Sequence, residues 1–271
     1  MNTPIHIVID ARWIFTEISG IGNYTRQLVE HLSLIDHFNT YTILFNDANI
    51  QQRTIKETNF TQNPNFRPYL FPYSVFSPIS QLFLPYHLKA MKCDIYHSTN
   101  YMIPLMAFST TRKKPYCVVT IHDVIPLIFH KAAPKSKKAR LFLLYRFLMF
   151  QIVKKATIIV TDSNASKEDI IRILHPATPE KIRTVYCGSP PTFFACERKI
   201  IQNFNEQRPA RLLYVGRMDP YKNVIGLIRI FNKTRQICNF PLQLIIAGSI
   251  DPRYPEAVSY THLTLPTIYS V

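Results

Sequence analysis

Short runs of β-branched apolar residues alternate with segments of helical period along most of this chain. Ile5–Ile9, Tyr41–Phe45, Cys117–Ile121, Thr157–Thr161 and Ile182–Tyr186 read as strands, and 94–97 ends a shorter one. Apolar positions 24, 28, 32 and 35 make a helical stripe, and Ser136–Ala156 has helical periodicity. Strands that are apolar throughout suit a sheet covered on both faces. Strand–helix alternation then implies parallel βαβ units in a layered α/β domain.

Local signals add detail. Ser19-Gly20-Ile21-Gly22 reads as a glycine loop between the first strand and its helix. Ser166 with Asp169 resembles a capping box opening a helix through Leu174, and Thr178-Pro179 starts another helical turn. Residues 46–68 are rich in Asn, Gln and Thr and read as irregular, and 69–90 show no clean period. The polar stretch Glu197–Pro209 reads as a linker. A fresh unit follows it: strand Leu212–Val215, helix Asn223–Thr234, strand Leu242–Ala247.

The net charge of +15 points to an anionic partner: nucleic acid, an acidic membrane surface or phosphorylated small molecules. Lys135, Lys137, Lys138, Arg140, Arg146, Lys154 and Lys155 cluster among Leu141, Phe142, Leu144, Phe147, Leu148 and Phe150. Segment 135–155 is therefore a candidate membrane-surface helix, with a core-facing helix whose cations are solvated as the alternative. No zinc spacing, RNP-type motif or helix-turn-helix supports nucleic-acid binding. No run reaches the ~18–20 apolar residues of a spanning helix. Residues 1–4 lack the regions of a signal peptide, so the expectation is a cytoplasmic protein. The cysteines at 93, 117, 187, 196 and 238 form no CxxC pair or metal-ligand spacing and read as structural thiols.

The segment Leu213-Tyr214-Val215-Gly216-Arg217-Met218-Asp219-Pro220-Tyr221-Lys222-Asn223 carries the clearest chemistry. A strand delivers the chain to Gly216, where a missing Cβ permits close backbone approach. Arg217 offers a planar fork for phosphate oxygens, and Lys222 lies near the next helix start, whose N–H groups also favour anions. Two cations there can clamp a diphosphate without metal and stabilise the charge on a departing nucleoside diphosphate. A loop with ordinary surface cations is the competing reading.

This segment resembles the G-R-x-x-x-x-K-[GN] motif of family 4 glycosyltransferases, which have the two-domain GT-B fold. Ile9-Asp10-Ala11-Arg12 with Gly20-Ile21-Gly22-Asn23-Tyr24 is similar to the opening of the family's mannosyltransferase-like members. Residues 120–127, 161–166 and 185–188 are similar to three further family segments, in the family's order. The resemblance covers 5–257. It implies a Rossmann-like acceptor domain at 1–196, a linker at 197–209, and the first βαβ part of a nucleotide-sugar domain at 210–257. It implies donor binding by Gly216, Arg217 and Lys222, and also by Gly20 and Gly22, which would form a flexible loop facing the cleft. His122 would lie next to the transferred sugar, with Asp123 orienting it. His97, which also follows a strand, would line the acceptor side with Asn100 or be structural. The implied reaction is retaining transfer of a hexose, mannose from GDP-mannose, to a saccharide or lipid-linked acceptor in surface polysaccharide assembly. No cofactor or metal is implied.

The family's Glu-x7-Glu motif, which holds ribose and donor sugar, has no counterpart in this sequence. Val258–Thr267 resembles one reading frame of a transposon-based sequencing adapter, so 258–271 are expected not to be native. The expectation for residues 1–257 alone is a catalytically inactive fragment.

Overall fold

A computed structural model describes residues 3–17, 19–108, 114–129, 141–189 and 209–248. The chain divides into two compact units, Met1–Val124 with Leu143–Gly188, and Ile125–Phe142 with Ser189–Val271.

The first unit is built on one sheet. Its strands are β1 (His6–Asp10), β2 (Thr40–Phe45), β3 (Phe66–Leu70), β4 (Ile95–Ser98), β5 (Tyr116–Thr120), β6 (Ile158–Thr161) and β7 (Ile182–Thr184). Their order is β3-β2-β1-β4-β5-β6-β7, and every pairing is parallel. Helices α1 (Gly20–Ile35), α2 (Ala48–Thr58) and α3 (Pro78–Ala90) follow β1, β2 and β3. After β5 comes the single turn α4 (Ile125–Ile128), which falls in the second unit, and the first unit resumes with α5 (Phe142–Lys155) and, beyond β6, α6 (Asn164–Leu174). Ile7, Ile9, Tyr41, Ile43 and Phe45 pack with Val29 and Leu32 of α1 and Ile50 and Ile55 of α2. Their neighbours Val8 and Leu44 point to the other face and are equally buried. Both faces are covered, as continuous apolar strands require.

Several local expectations are corrected. Gly20 and Gly22 form no loop: they are the first turn of α1, because the Ser19 side chain caps it by accepting from the Gly22 amide at 3.1 Å. Residues 46–68 are ordered. Asp47 accepts from the Asn49 and Ile50 amides to start α2, and β3 keeps Pro68 because it is an edge strand. Residues 69–90 include α3, which starts on the Ser77 cap and Pro78 and carries Pro85 inside. The cap of α6 is Ser163, and Ser166 is the amide it accepts from, at 3.1 Å. Cys93 and Cys117 are buried, and burial pushes the Cys93 thiol up to about 12, as expected of inert structural thiols. The basic residues 135–140, most of the expected linker (197–208) and the tail 258–271 lie outside the described residues.

In the second unit β8 (Ala210–Val215) pairs in parallel with β9 (Leu242–Ala247), joined through α7 (Val224–Ile237). Met218, Val224, Ile228, Phe231, Leu244 and Ile246 form its core. Asn223, in a left-handed conformation, caps α7 by accepting from the Gly226 amide at 3.3 Å.

Candidate active site

Open parallel sheets bind ligands outside the carboxyl ends of their strands, where the strand order reverses. The chain runs from β1 outward to β2 and β3, then returns to β4 on the other side of β1. The reversal therefore lies between β1 and β4, and the residues just after β1, β4, β5 and β6 share one sheet end.

His122 follows β5. Its Nδ1 lies 3.1 Å from the carboxylate of Asp162, just after β6, and its Nε2 3.1 Å from the backbone oxygen of Thr99, just after β4. Both neighbours are acceptors, and a neutral imidazole carries one N–H, so a hydrogen bond to one of them orients the ring. Ser166 donates to the His122 backbone oxygen at 2.6 Å and fixes the chain as well. Tyr24 of α1 meets the imidazole edge-on, with centroids 4.9 Å apart. The Tyr24 hydroxyl lies 3.3 Å from Thr120 Oγ1, and His97 Nε2 lies 3.0 Å from the same oxygen. Burial raises the pKa of Tyr24, the Thr120 bond opposes the rise, and Cys187 and Asp162 add to it. His97 is enclosed enough that burial pushes its pKa down to about 4, so its ring is neutral at pH 7.

The structure thus joins His122 and His97 through Tyr24 and Thr120. Asp123 is exposed beside this group. Asn100 is buried, and its side chain accepts from the Tyr101 amide at 2.8 Å, so it shapes the loop after β4. Gly22 is buried; a Cβ there would lie 3.3 Å from Ser19 Oγ and 3.5 Å from the Trp13 carbonyl oxygen, so the glycine makes room for the cap. Asp162, Tyr24, Thr99 and Thr120 belong to the cluster and are missed by sequence reasoning. The available signal was their position: three follow or end strands at the same sheet edge.

Beneath the site lies a buried ion pair. Arg12 donates to Asp10 from Nε at 2.8 Å and from Nη2 at 2.6 Å, and Tyr96 donates to the same carboxylate at 2.5 Å. Arg12 Nη1 also donates to Ser80 Oγ at 2.8 Å and to the Tyr73 oxygen at 3.1 Å. Burial alone would lower the Arg12 pKa, but the charge and hydrogen bonds of Asp10 outweigh it and the net direction is upward. Asp10 and Arg12 are thus structural: they tie β1 to β4 and to the start of α3.

In the second unit the expected donor residues sit at the carboxyl end of β8. Gly216 has φ +155° and its amide donates to the Ala247 oxygen at 2.9 Å. Gly248, after β9, has φ +158°, and a Cβ on it would collide with the Gly216 oxygen. The two strand ends are therefore held together by paired glycines, the second of which sequence reasoning missed. Arg217 Nε lies 3.4 Å from the carboxylate of buried Asp219 while its side chain stays 58% exposed. Asp219 so holds one edge of the guanidinium. Lys222 ends the single turn before α7, its ammonium 5.3 Å from the Tyr221 ring centroid.

The family model of Glycosyltransferase Family 4 matches residues 18–193. The chain belongs to that family. This family 4 chain is 22% identical over 246 residues to the O-antigen chain mannosyltransferase B of Escherichia coli, covering 85% of this chain and 61% of that protein. The chain thus spans 61% of the length of the curated relative it matches. The apo form of lipopolysaccharide outer core galactosyltransferase WaaB is similar with a TM-score of 0.57 at 15% identity, over 99% of this chain and 68% of that one. At that identity the likeness is one of fold, and the fold is α/β of the GT-B type.

Proposed function

We propose that the intact family 4 protein is a retaining glycosyltransferase that moves mannose from GDP-mannose to a saccharide or lipid-linked saccharide acceptor, in surface polysaccharide assembly. The observation that carries the transfer reading is the turn after β8. Gly216 opens the backbone there, Asp219 aims Arg217, and Lys222 precedes the α7 N-terminus. A diphosphate accepts from such groups, and their charge stabilises it as it departs. No metal is needed for that task. His122, set between Asp162 and the Thr99 oxygen, would stand beside the transferred sugar, and exposed Asp123 would help to orient it. His97 and Asn100 act on the acceptor side by holding Thr120 and the loop after β4. Mannose rather than another hexose rests on the name of the Escherichia coli relative.

We also infer peripheral contact with an anionic membrane through α5. Leu143, Leu144 and Phe147 are 78%, 52% and 56% exposed on it. Lys155 does not contribute, because it donates to the oxygens of Leu105 and Phe108 at 3.0 and 2.8 Å. Among the described residues no helix is long and apolar enough to cross a membrane. Salt-sensitive pelleting with anionic vesicles tests the contact, and its absence would sink it.

The deciding experiment incubates the intact enzyme with labelled GDP-mannose or with UDP-hexoses, with and without EDTA. Mannose transfer with α configuration, unaffected by EDTA, is the expected result. A β-linked product or transfer from a UDP-sugar alone would overturn the reading. Residues 1–257 alone are expected to give no turnover.

A further inference from the structure

An aromatic group lies at the same sheet end as His122 without belonging to its cluster. Trp13 follows β1 and Tyr101 follows β4, and their rings meet across the strand reversal at 5.6 Å between centroids. Phe76 packs edge-on against Trp13 at 5.4 Å and Phe15 at 6.3 Å. Trp13 is buried, but Phe15 and Phe76 are 45% and 54% exposed.

The segments that carry the two phenylalanines are pinned. Arg53 of α2 donates to the oxygens of Phe15 and Thr16 at 2.7 and 2.8 Å. Arg12, from the buried ion pair, donates to the Tyr73 oxygen three residues before Phe76. What sets these two half-exposed rings apart from other exposed apolar residues is that both pack on one indole at the strand reversal, where open parallel sheets bind ligands.

A second observation is independent of the rings. Trp13 Nε1 is buried and has no hydrogen-bond partner among the described residues. A buried donor left unmade costs roughly 1–3 kcal/mol, and a native protein keeps one for a reason.

We propose that this group is the platform for a pyranose ring of the acceptor saccharide. Phe15 and Phe76 face the C–H surface of the sugar, and Trp13 Nε1–H donates to one of its hydroxyl oxygens. A hexopyranose has an apolar face and a polar rim, which suits two half-exposed rings packed on an indole whose N–H lacks a partner among the described residues. Because Nε1 is buried, admitting the hydroxyl requires a local rearrangement, which alters the surroundings of the indole. This assignment rests on the glycosyl-transfer reading for its ligand class, but it is measured without turnover.

Trp13 is the single tryptophan of the chain, so indole emission reports on this place alone. The 271-residue chain is titrated with mannose-, glucose-, galactose- and rhamnose-containing oligosaccharides. At least one should change Trp13 emission saturably. Phe76→Ala should weaken that binding about tenfold, as loss of one stacking contact would. Phe76→Tyr, which keeps the ring, should restore it, and Phe15→Ala provides a second variant if Phe76→Ala does not fold. GDP and UDP should leave the emission unchanged. No response to any saccharide, a response to the nucleotides instead, or wild-type affinity after loss of either ring would overturn the proposal. Saccharide binding here without sugar transfer by the intact enzyme would sink the transfer reading and leave the platform standing. Transfer without any indole response would do the reverse.

Discussion

A β-carbon on Gly248 would lie 1.9 Å from the backbone oxygen of Gly216. No side-chain rotation relieves such a clash, because the obstacle is backbone. Gly248→Ala must therefore part the ends of β8 and β9 and also adopt a φ that L residues avoid. The expected loss is roughly 3 kcal/mol of stability in the second unit. Faster hydrogen exchange in 210–248, with the first unit unchanged, is the measurement. Wild-type protection would contradict the close approach.

Arg12→Met leaves the Asp10 carboxylate buried without its cation. That should cost about 3–5 kcal/mol in urea unfolding. The double change Asp10→Asn with Arg12→Met should recover a large part of the loss, because it removes both charges together. Additive losses would show that the pair does not act as a unit.

His97 makes stability pH-dependent. Burial sets its folded pKa near 4, below the ordinary value of 6.5, so the unfolded chain binds the proton more readily. Its contribution is full above about pH 6.5 and is lost as pH falls toward 4, by roughly 2–3 kcal/mol. Urea titrations at pH 7 and pH 5 should show the loss in the wild type and a flatter dependence in His97→Gln. Equal slopes would remove His97 as the source.

Asp162 touches one ring edge of His122 and stands outside the expected donor residues. In the intact enzyme Asp162→Asn should lower kcat about 10–100-fold, while KM for the nucleotide sugar stays within about threefold. Arg217→Ala or Lys222→Ala should instead weaken nucleotide-sugar binding by about tenfold or more. Steady-state kinetics of the three variants separates the roles, and one common pattern for all of them would undo the assignment.

The sheet was legible because its strands are short, β-branched and bounded by turn residues. What escaped has identifiable causes. Helix α2 shows no apolar stripe because its fully buried residues are Thr54 and Thr58, whose hydroxyls donate to carbonyls one turn earlier. Helix α3 hides its period because Ile79, Leu82, Phe83 and Tyr86 are exposed apolar residues on its outer side. Gly20 and Gly22 suggested a loop by composition, whereas Ser19 three residues before Gly22 was the better signal. The segment Asp10-Ala11-Arg12 was singled out, but its role depends on Tyr96, Ser80 and Tyr73, which no local pattern connects to it. Arg217 and Lys222 stand out in the sequence by their spacing, whereas nothing local marks Asp219 between them as buried.

The strand order has a consequence for how the protein is made. β1 lies in the interior of the sheet, yet its partner β4 pairs Ser98 with Asp10. On the ribosome β1 therefore keeps one bare hydrogen-bonding edge until residue 98 emerges, on the order of ten seconds at 5–20 residues per second. His122 and Asp162 emerge later still. For that interval the chain holds an open strand able to pair with a neighbour, so chaperone cover during synthesis should raise the yield of folded protein.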